Sequence, residues 1–120
     1  MSNDHPTYED IQERVKEGGG VATFEAWELR EAQGAGRLTS RINTTISNSL
    51  KSRGLSHVPA EAESLPTSQY QLVRVYDATS DLGKVITAAI SPGEEEDRLL
   101  VNSVNGEYAG MIEQIRAIVE

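Results

Sequence analysis

At 120 residues and 13.1 kDa the chain is one domain's worth of protein with room for one modest core, which excludes most multi-domain enzymes. Cysteine is absent, so disulfides, thiolate metal sites and cysteine nucleophiles are excluded together, in keeping with a reducing compartment. Eleven Lys and Arg against nineteen Asp and Glu give a net charge of −8, and taken whole that acidity argues against indiscriminate binding to phosphate backbones or anionic lipid.

The opening residues Met1 to Pro6 hold no apolar stretch, and no apolar run approaches the roughly 20 residues a membrane span needs, so a soluble, cytoplasmic protein is expected. In chain order, Thr7 is the expected N-cap of a first short helix in which Tyr8, Ile11 and Val15 share one face. Asp10 completes the cap and Gly18-Gly19-Gly20 ends the helix. Val21-Ala22 reads as a connector and Thr23 as the cap of a second short helix, Phe24–Gln33, whose apolar arc is broad and whose Trp27 belongs to the core. Gly34-Ala35-Gly36 suits a tight turn.

A third helix is predicted over Arg37–Arg53, with Gly54 as its stop. Leu38, Ile42, Ile46 and Leu50 recur every four residues on the face to be buried. Opposite them fall Arg37, Ser40, Thr44, Asn48 and Lys51, with Arg41 and Ser47 on the flanks. Ser, Thr and Asn are mediocre helix formers, so their density here costs helix stability and calls for another reason. The charge points the same way. Residues 1–35 carry −5 and residues 61–120 carry −7, whereas residues 36–60 contain no acid and carry +4.

Beyond Gly54, Leu55–Pro59 is short and extended, and Ala60–Pro66 is loop. Tyr70–Tyr76 and Lys84–Ile90 have high β-propensity and flank the turn-forming Asp77–Gly83, which predicts an antiparallel hairpin. Ser91-Pro92-Gly93-Glu94 opens a C-terminal helix. Leu100, Val104, Tyr108, Met111, Ile112, Ile115 and Val119 form its apolar stripe, interrupted at Asn105-Gly106. That interruption is either a kink between two helices or a turn after a short strand, Leu99–Val104.

Sites for other chemistry are weak. Asp77-Ala78-Thr79-Ser80-Asp81 begins like a calcium loop, but Leu82 stands where glycine is required and Ala88 where glutamate is required. Glu94–Asp97 suits the first turn of a helix. Gly18–Gly20 lacks the Lys-Ser/Thr of a phosphate loop, and neither His5 nor His57 has a partner at a ligand or triad spacing. No catalytic set, metal or cofactor is expected.

The order helix, extended segment, helix, Gly-containing turn, basic helix and hairpin resembles the winged helix-turn-helix family over Tyr8–Ile90. The run Gly36-Arg37-Leu38-Thr39-Ser40-Arg41-Ile42, ending in Ser52-Arg53-Gly54-Leu55, is similar to small winged-helix modules attached to bacterial restriction and defence proteins. The resemblance implies an α+β fold of three helices plus a β-hairpin wing over residues 1–90, with a C-terminal helical extension over 91–120. It also implies that Phe24–Gln33 is the first helix of the pair, Arg37–Arg53 the recognition helix and Tyr70–Ile90 the wing.

The expected partner is duplex DNA, because Arg matches guanine, Asn matches adenine, and Ser or Thr serves phosphates or bases. The expected contacts are Arg37, Ser40, Arg41, Thr44, Ser47, Asn48 and Lys51. Asp77 and Asp81 at the expected wing tip depart from the family pattern, since carboxylates repel phosphate. Family analogy assigns Tyr108, Met111, Ile112, Ile115 and Val119 to a homodimer contact, with packing on their own domain as the alternative. The second functional reading is a non-catalytic module that docks a larger protein through its acidic surface or apolar C-terminal helix.

Overall fold

The computed structural model describes residues 6–105. Helix α1 (Tyr8–Glu17) starts at the expected cap: the Thr7 hydroxyl accepts from the Asp10 amide at 3.2 Å, and the Thr7 amide donates to Asp10 Oδ2 at 2.9 Å. The reciprocal bonds satisfy two amides that a helix start leaves open. Ile11 and Val15 are buried on its inner face.

The first departure from the sequence reading comes next. Val21–Glu25 is a strand, β1, and helix α2 covers only Ala26–Gln33. The Glu25 amide donates to Glu28 Oε2 at 2.8 Å, while the open amides of Ala26 and Trp27 donate to the carbonyls of Gln71 and Gln69. The helix thus starts where a distant loop can satisfy it, beyond Thr23. Gly34, left-handed at φ 74, ends it. Helix α3 spans Ser40–Ser52, shorter at its start than expected, with Thr39 as N-cap accepting from the Ile42 amide at 3.1 Å.

Strands β2 (Leu55–Val58) and β3 (Leu72–Asp77) follow, and the antiparallel sheet has the order β1-β3-β2. Phe24 pairs with Val73, and Val75 stands between Ala22 and His57, so one sheet face is turned to the helices. The core joins Phe24, Val73, Val75 and Leu55 to Ile11, Val15, Leu29, Ile46, Leu50 and Leu65. Gln33 links the three helices, its Oε1 accepting from the hydroxyls of Tyr8 at 2.6 Å and Ser49 at 3.4 Å.

The hairpin expected at Tyr70–Ile90 is corrected. Its first strand is present, but Asp81–Ile90 is a helix, α4, and β3 is the central strand with β1 and β2 on either side. Both edges of β3 are taken, so the sheet offers no place beside it for Lys84–Ile90. The Ser80 hydroxyl accepts from the Gly83 amide at 2.9 Å and caps α4. The actual hairpin is β2–β3, joined by the loop 59–71, which includes a 3₁₀ turn at Ala62–Ser64.

The chain divides into two compact units that meet between Gly83 and Lys84, inside α4, whereas the expected junction followed residue 90. The first holds the sheet and α1–α3. In the second, residues 94–105 form a further helix, α5, which resolves the alternatives for Leu99–Val104 in favour of helix. Tyr108, Met111, Ile112, Ile115 and Val119 lie outside the described residues. The described chain is therefore α+β, with five α-helices and a three-stranded antiparallel sheet. None of the helices among the described residues is long and apolar enough to cross a membrane.

Candidate nucleic-acid interface

Helix α3 has two chemically distinct faces. Asn43, Ile46, Ser47 and Leu50, at helical steps of three, one and three, are buried. Ser40, Arg41, Thr44, Thr45, Asn48, Lys51 and Ser52 are exposed.

The buried face is rotated relative to the apolar stripe. Leu38 and Ile42 are only partly covered, while Asn43 and Ser47 are buried at 3 % and 1 % exposure. Polar side chains go inside only where partners meet them. Asn43 Nδ2 donates to the carbonyls of Leu65 at 3.1 Å and Pro66 at 3.2 Å, tying α3 to the 59–71 loop. Ser47 Oγ lies 2.7 Å from His57 Nε2, and His57 Nδ1 lies 2.6 Å from the Pro59 carbonyl. A neutral imidazole satisfies all three groups when Ser47 donates to Nε2 and Nδ1–H donates to Pro59. Burial pushes the His57 pKa below the ordinary value, the Pro59 bond opposes the shift, nearby Lys51 adds to it and Glu61 opposes it.

Ser47 is accordingly a correction: it is a core residue, out of reach of any groove. His57, which no ligand or triad spacing singles out in the sequence, has Ser47 and the Pro59 carbonyl as its structural partners. The signal was available in part, since a hydroxyl on the flank of the stripe can move inside when a histidine ten residues on faces it. The pair is buried on both sides, so it holds α3 against β2 and presents no accessible nucleophile.

The other expected contacts, Arg37, Ser40, Arg41, Thr44, Asn48 and Lys51, are all exposed. Arg37 precedes the helix in the α2–α3 connection, and the rest lie along α3. Arg37, Arg41, Asn48 and Lys51 make no hydrogen bond or ion pair with other described side chains. Thr44 returns its hydroxyl hydrogen to the Ser40 carbonyl at 3.1 Å and keeps its lone pairs free, as Thr45 does over Arg41.

The fourth base of the island is spent inside the chain. Arg53 donates to Gln12 Oε1 at 2.9 Å, lies 3.9 Å from Glu9 and covers the Tyr8 ring at 5.2 Å. Arg14 and Arg30 are engaged by Glu28 and Glu31. Arg74, which sequence reasoning did not single out, is exposed on β3 opposite Thr23 and Val58. Among the described residues Lys16, Lys84 and Arg98 are likewise exposed and without an ion pair, but α3 and its approach hold three free cations, Arg37, Arg41 and Lys51, with no acid among them.

The 59–71 loop bears exposed Glu61 and Glu63 and no Lys or Arg, so its acidity replaces that expected of Asp77 and Asp81. Asp77 instead closes the β3–α4 turn: its Oδ1 accepts from the Thr79 amide at 2.9 Å and the Thr79 hydroxyl at 2.6 Å, which lowers its pKa. A cleft of about 710 Å³ between α1 and this turn includes Arg53 and Asp77, both already engaged within the chain. Compared with known protein families, curated proteins and solved structures, the chain matches none.

Proposed function

We propose that the chain is a small winged-helix protein that binds duplex DNA through the exposed face of α3, as a regulator of transcription or of another DNA transaction. The observation that carries this reading is the division of α3. One face is held in the core by Ile46, Leu50, Asn43 and Ser47, while the other offers Arg41, Thr44, Asn48 and Lys51 to a partner. Rigid support behind exposed polar groups, the donors of Arg41, Asn48 and Lys51 and the lone pairs of Thr44, is what a reading helix needs, because each side chain must meet a base edge or phosphate without ordering the helix first.

The element order α1-β1-α2-α3-β2-β3 and the sheet order β1-β3-β2 support the winged-helix assignment. The wing in this reading is the β2–β3 hairpin, and its Glu61 and Glu63 keep it off the phosphates. Binding then relies on α3 and Arg37. With three free cations on that side, the logarithm of affinity should fall against the logarithm of salt with a slope of about −2 to −3.

The test is fluorescence anisotropy with duplex DNA across a salt series, with Arg37→Ala/Arg41→Ala beside the wild type. Binding that weakens with salt and collapses in the double variant supports the proposal; no binding at low salt overturns it. A second reading, a docking module for a larger protein, draws support from the acidic loop and the exposed Tyr70 and Leu72 beside it. It predicts the second outcome.

A further inference from the structure

The two outer strands of the sheet present different edges. The Asp77 amide donates to the Gly20 carbonyl and the Ala26 amide to the Gln71 carbonyl. With the register of β1 on β3, these bonds assign Gly20, Ala22, Phe24 and Ala26 to the ladder. The N–H and C=O groups of Val21, Thr23 and Glu25 therefore point away from β3, and Thr23 is exposed. On β2 the bond from the Ala78 amide to the Gly54 carbonyl turns Leu55 and His57 outward instead, and both residues are buried. The β1 edge is the one a further strand could reach.

Two helices send side chains to that edge. Arg14 of α1 donates through Nη2 to the Thr23 carbonyl at 2.9 Å and through Nη1 to Glu28 Oε1 at 2.7 Å. Glu28 of α2 accepts from the Glu25 amide on its other oxygen, at 2.8 Å. A parallel strand joining β1 beside Phe24 would place one residue there, its N–H on the Thr23 carbonyl and its C=O on the Glu25 amide. The ion pair supplies that donor and that acceptor, already joined to each other. The Arg14 guanidinium also lies over the Phe24 ring, 4.1 Å from its centroid, which helps to hold the fork in place.

We propose that the Arg14–Glu28 pair is an edge guard: it stands in for one residue of a fourth strand and keeps β1 from pairing with a second copy of the chain. An ordinary exposed salt bridge contributes little to stability and nothing to association, so the two roles predict different outcomes. Opened β1 edges are self-complementary, because two antiparallel copies can meet about a two-fold axis through Thr23. The guard is independent of DNA binding and is tested without nucleic acid.

Sedimentation velocity of the full chain over a range of concentrations compares wild type, Arg14→Ala and Arg14→Ala/Thr23→Pro. Arg14→Ala should raise the self-association constant at least about tenfold over the wild type, since edge groups released in both copies find partners in each other. Adding Thr23→Pro should return it to the wild-type value, because proline removes the outward amide and is tolerated on an edge strand. Circular dichroism melts check the fold of each variant. Should proline unfold the chain, Thr23→Lys takes its place and opposes pairing by setting like charges across the two-fold axis.

An Arg14→Ala protein that associates no more than the wild type overturns the proposal. So does association that Thr23→Pro and Thr23→Lys both leave intact, which would mark exposure of the core by unfolding in place of an opened edge.

Discussion

Ser47 Oγ and His57 Nε2 meet 2.7 Å apart between α3 and β2, and this bond fixes which side of α3 is left to face a partner. With Ser47 and Asn43 turned inward, the exposed arc is centred on Arg41, Thr44 and Asn48.

The pair makes stability depend on pH. Burial holds the folded His57 pKa below its ordinary 6.5, so as pH falls the unfolded chain takes up the proton first. The contribution of a neutral His57 is complete above about pH 6.5 and is lost progressively below it, at no more than about 1.4 kcal/mol per pH unit. Urea melts of wild type and His57→Gln between pH 7.5 and 5 should show this extra acid slope in the wild type alone. Parallel slopes would sink the assignment.

Asn43 holds the 59–71 loop through two carbonyls. Asn43→Ala leaves both without that donor and should cost about 1–3 kcal/mol, with the urea midpoint lowered and the m-value unchanged. Ile46→Ala, three residues on, removes packing from a fully buried site and should cost about 2–5 kcal/mol.

Two residues of the exposed face should differ in kind. Lys51→Ala should weaken DNA binding alike on all sequences and reduce the salt slope by about 1, whereas Asn48→Ala should cost about 1–3 kcal/mol on a selected site and little on random duplex. Arg53→Ala, which loses contacts only to α1, should leave both readouts unchanged. Anisotropy titrations on selected and scrambled duplexes distinguish these outcomes.

Gly83 lies in the first turn of α4 against the Asp77 carbonyl, which a Cβ at that position would overlap. Gly83→Ala should therefore destabilise by about 1–3 kcal/mol, the usual range for forced overpacking. Gly36→Ala meets nothing within 4 Å and should be neutral or stabilise by up to about 1 kcal/mol. Thermal melts of the two variants should move apart accordingly.

Much of the helical layer was legible because its signals are local. Thr7 and Asp10 cap α1 as read, and Ile46 and Leu50 are buried as their spacing required. The strand expected over Tyr70–Tyr76 is present as Leu72–Asp77, and the extended segment expected over Leu55–Pro59 holds strand Leu55–Val58. Lys84–Ile90 misled through its β-branched residues; the competing cues were Ser80 as a cap and Leu82, Val85, Ile86 and Ala89 at helical steps. Strand β1 was hidden in five residues, where Thr23 also suits a helix cap. Ser47 was assigned outward because the periodicity of Leu38, Ile42, Ile46 and Leu50 carries no information about polar partners.

The sequence by itself determined the uneven charge, the absence of thiol chemistry and the identity of α3 as the basic amphipathic helix. Each is a matter of composition or of spacing along one element. Only the tertiary structure decided that β3 is the central strand, that the acidic hairpin is 55–77, that Arg53 is spent on α1 while Arg37, Arg41 and Lys51 stay free, and that Ser47 is locked to His57. These outcomes depend on which distant groups satisfy one another once buried, and a buried polar group goes where its partner is, whatever the period of the helix that carries it.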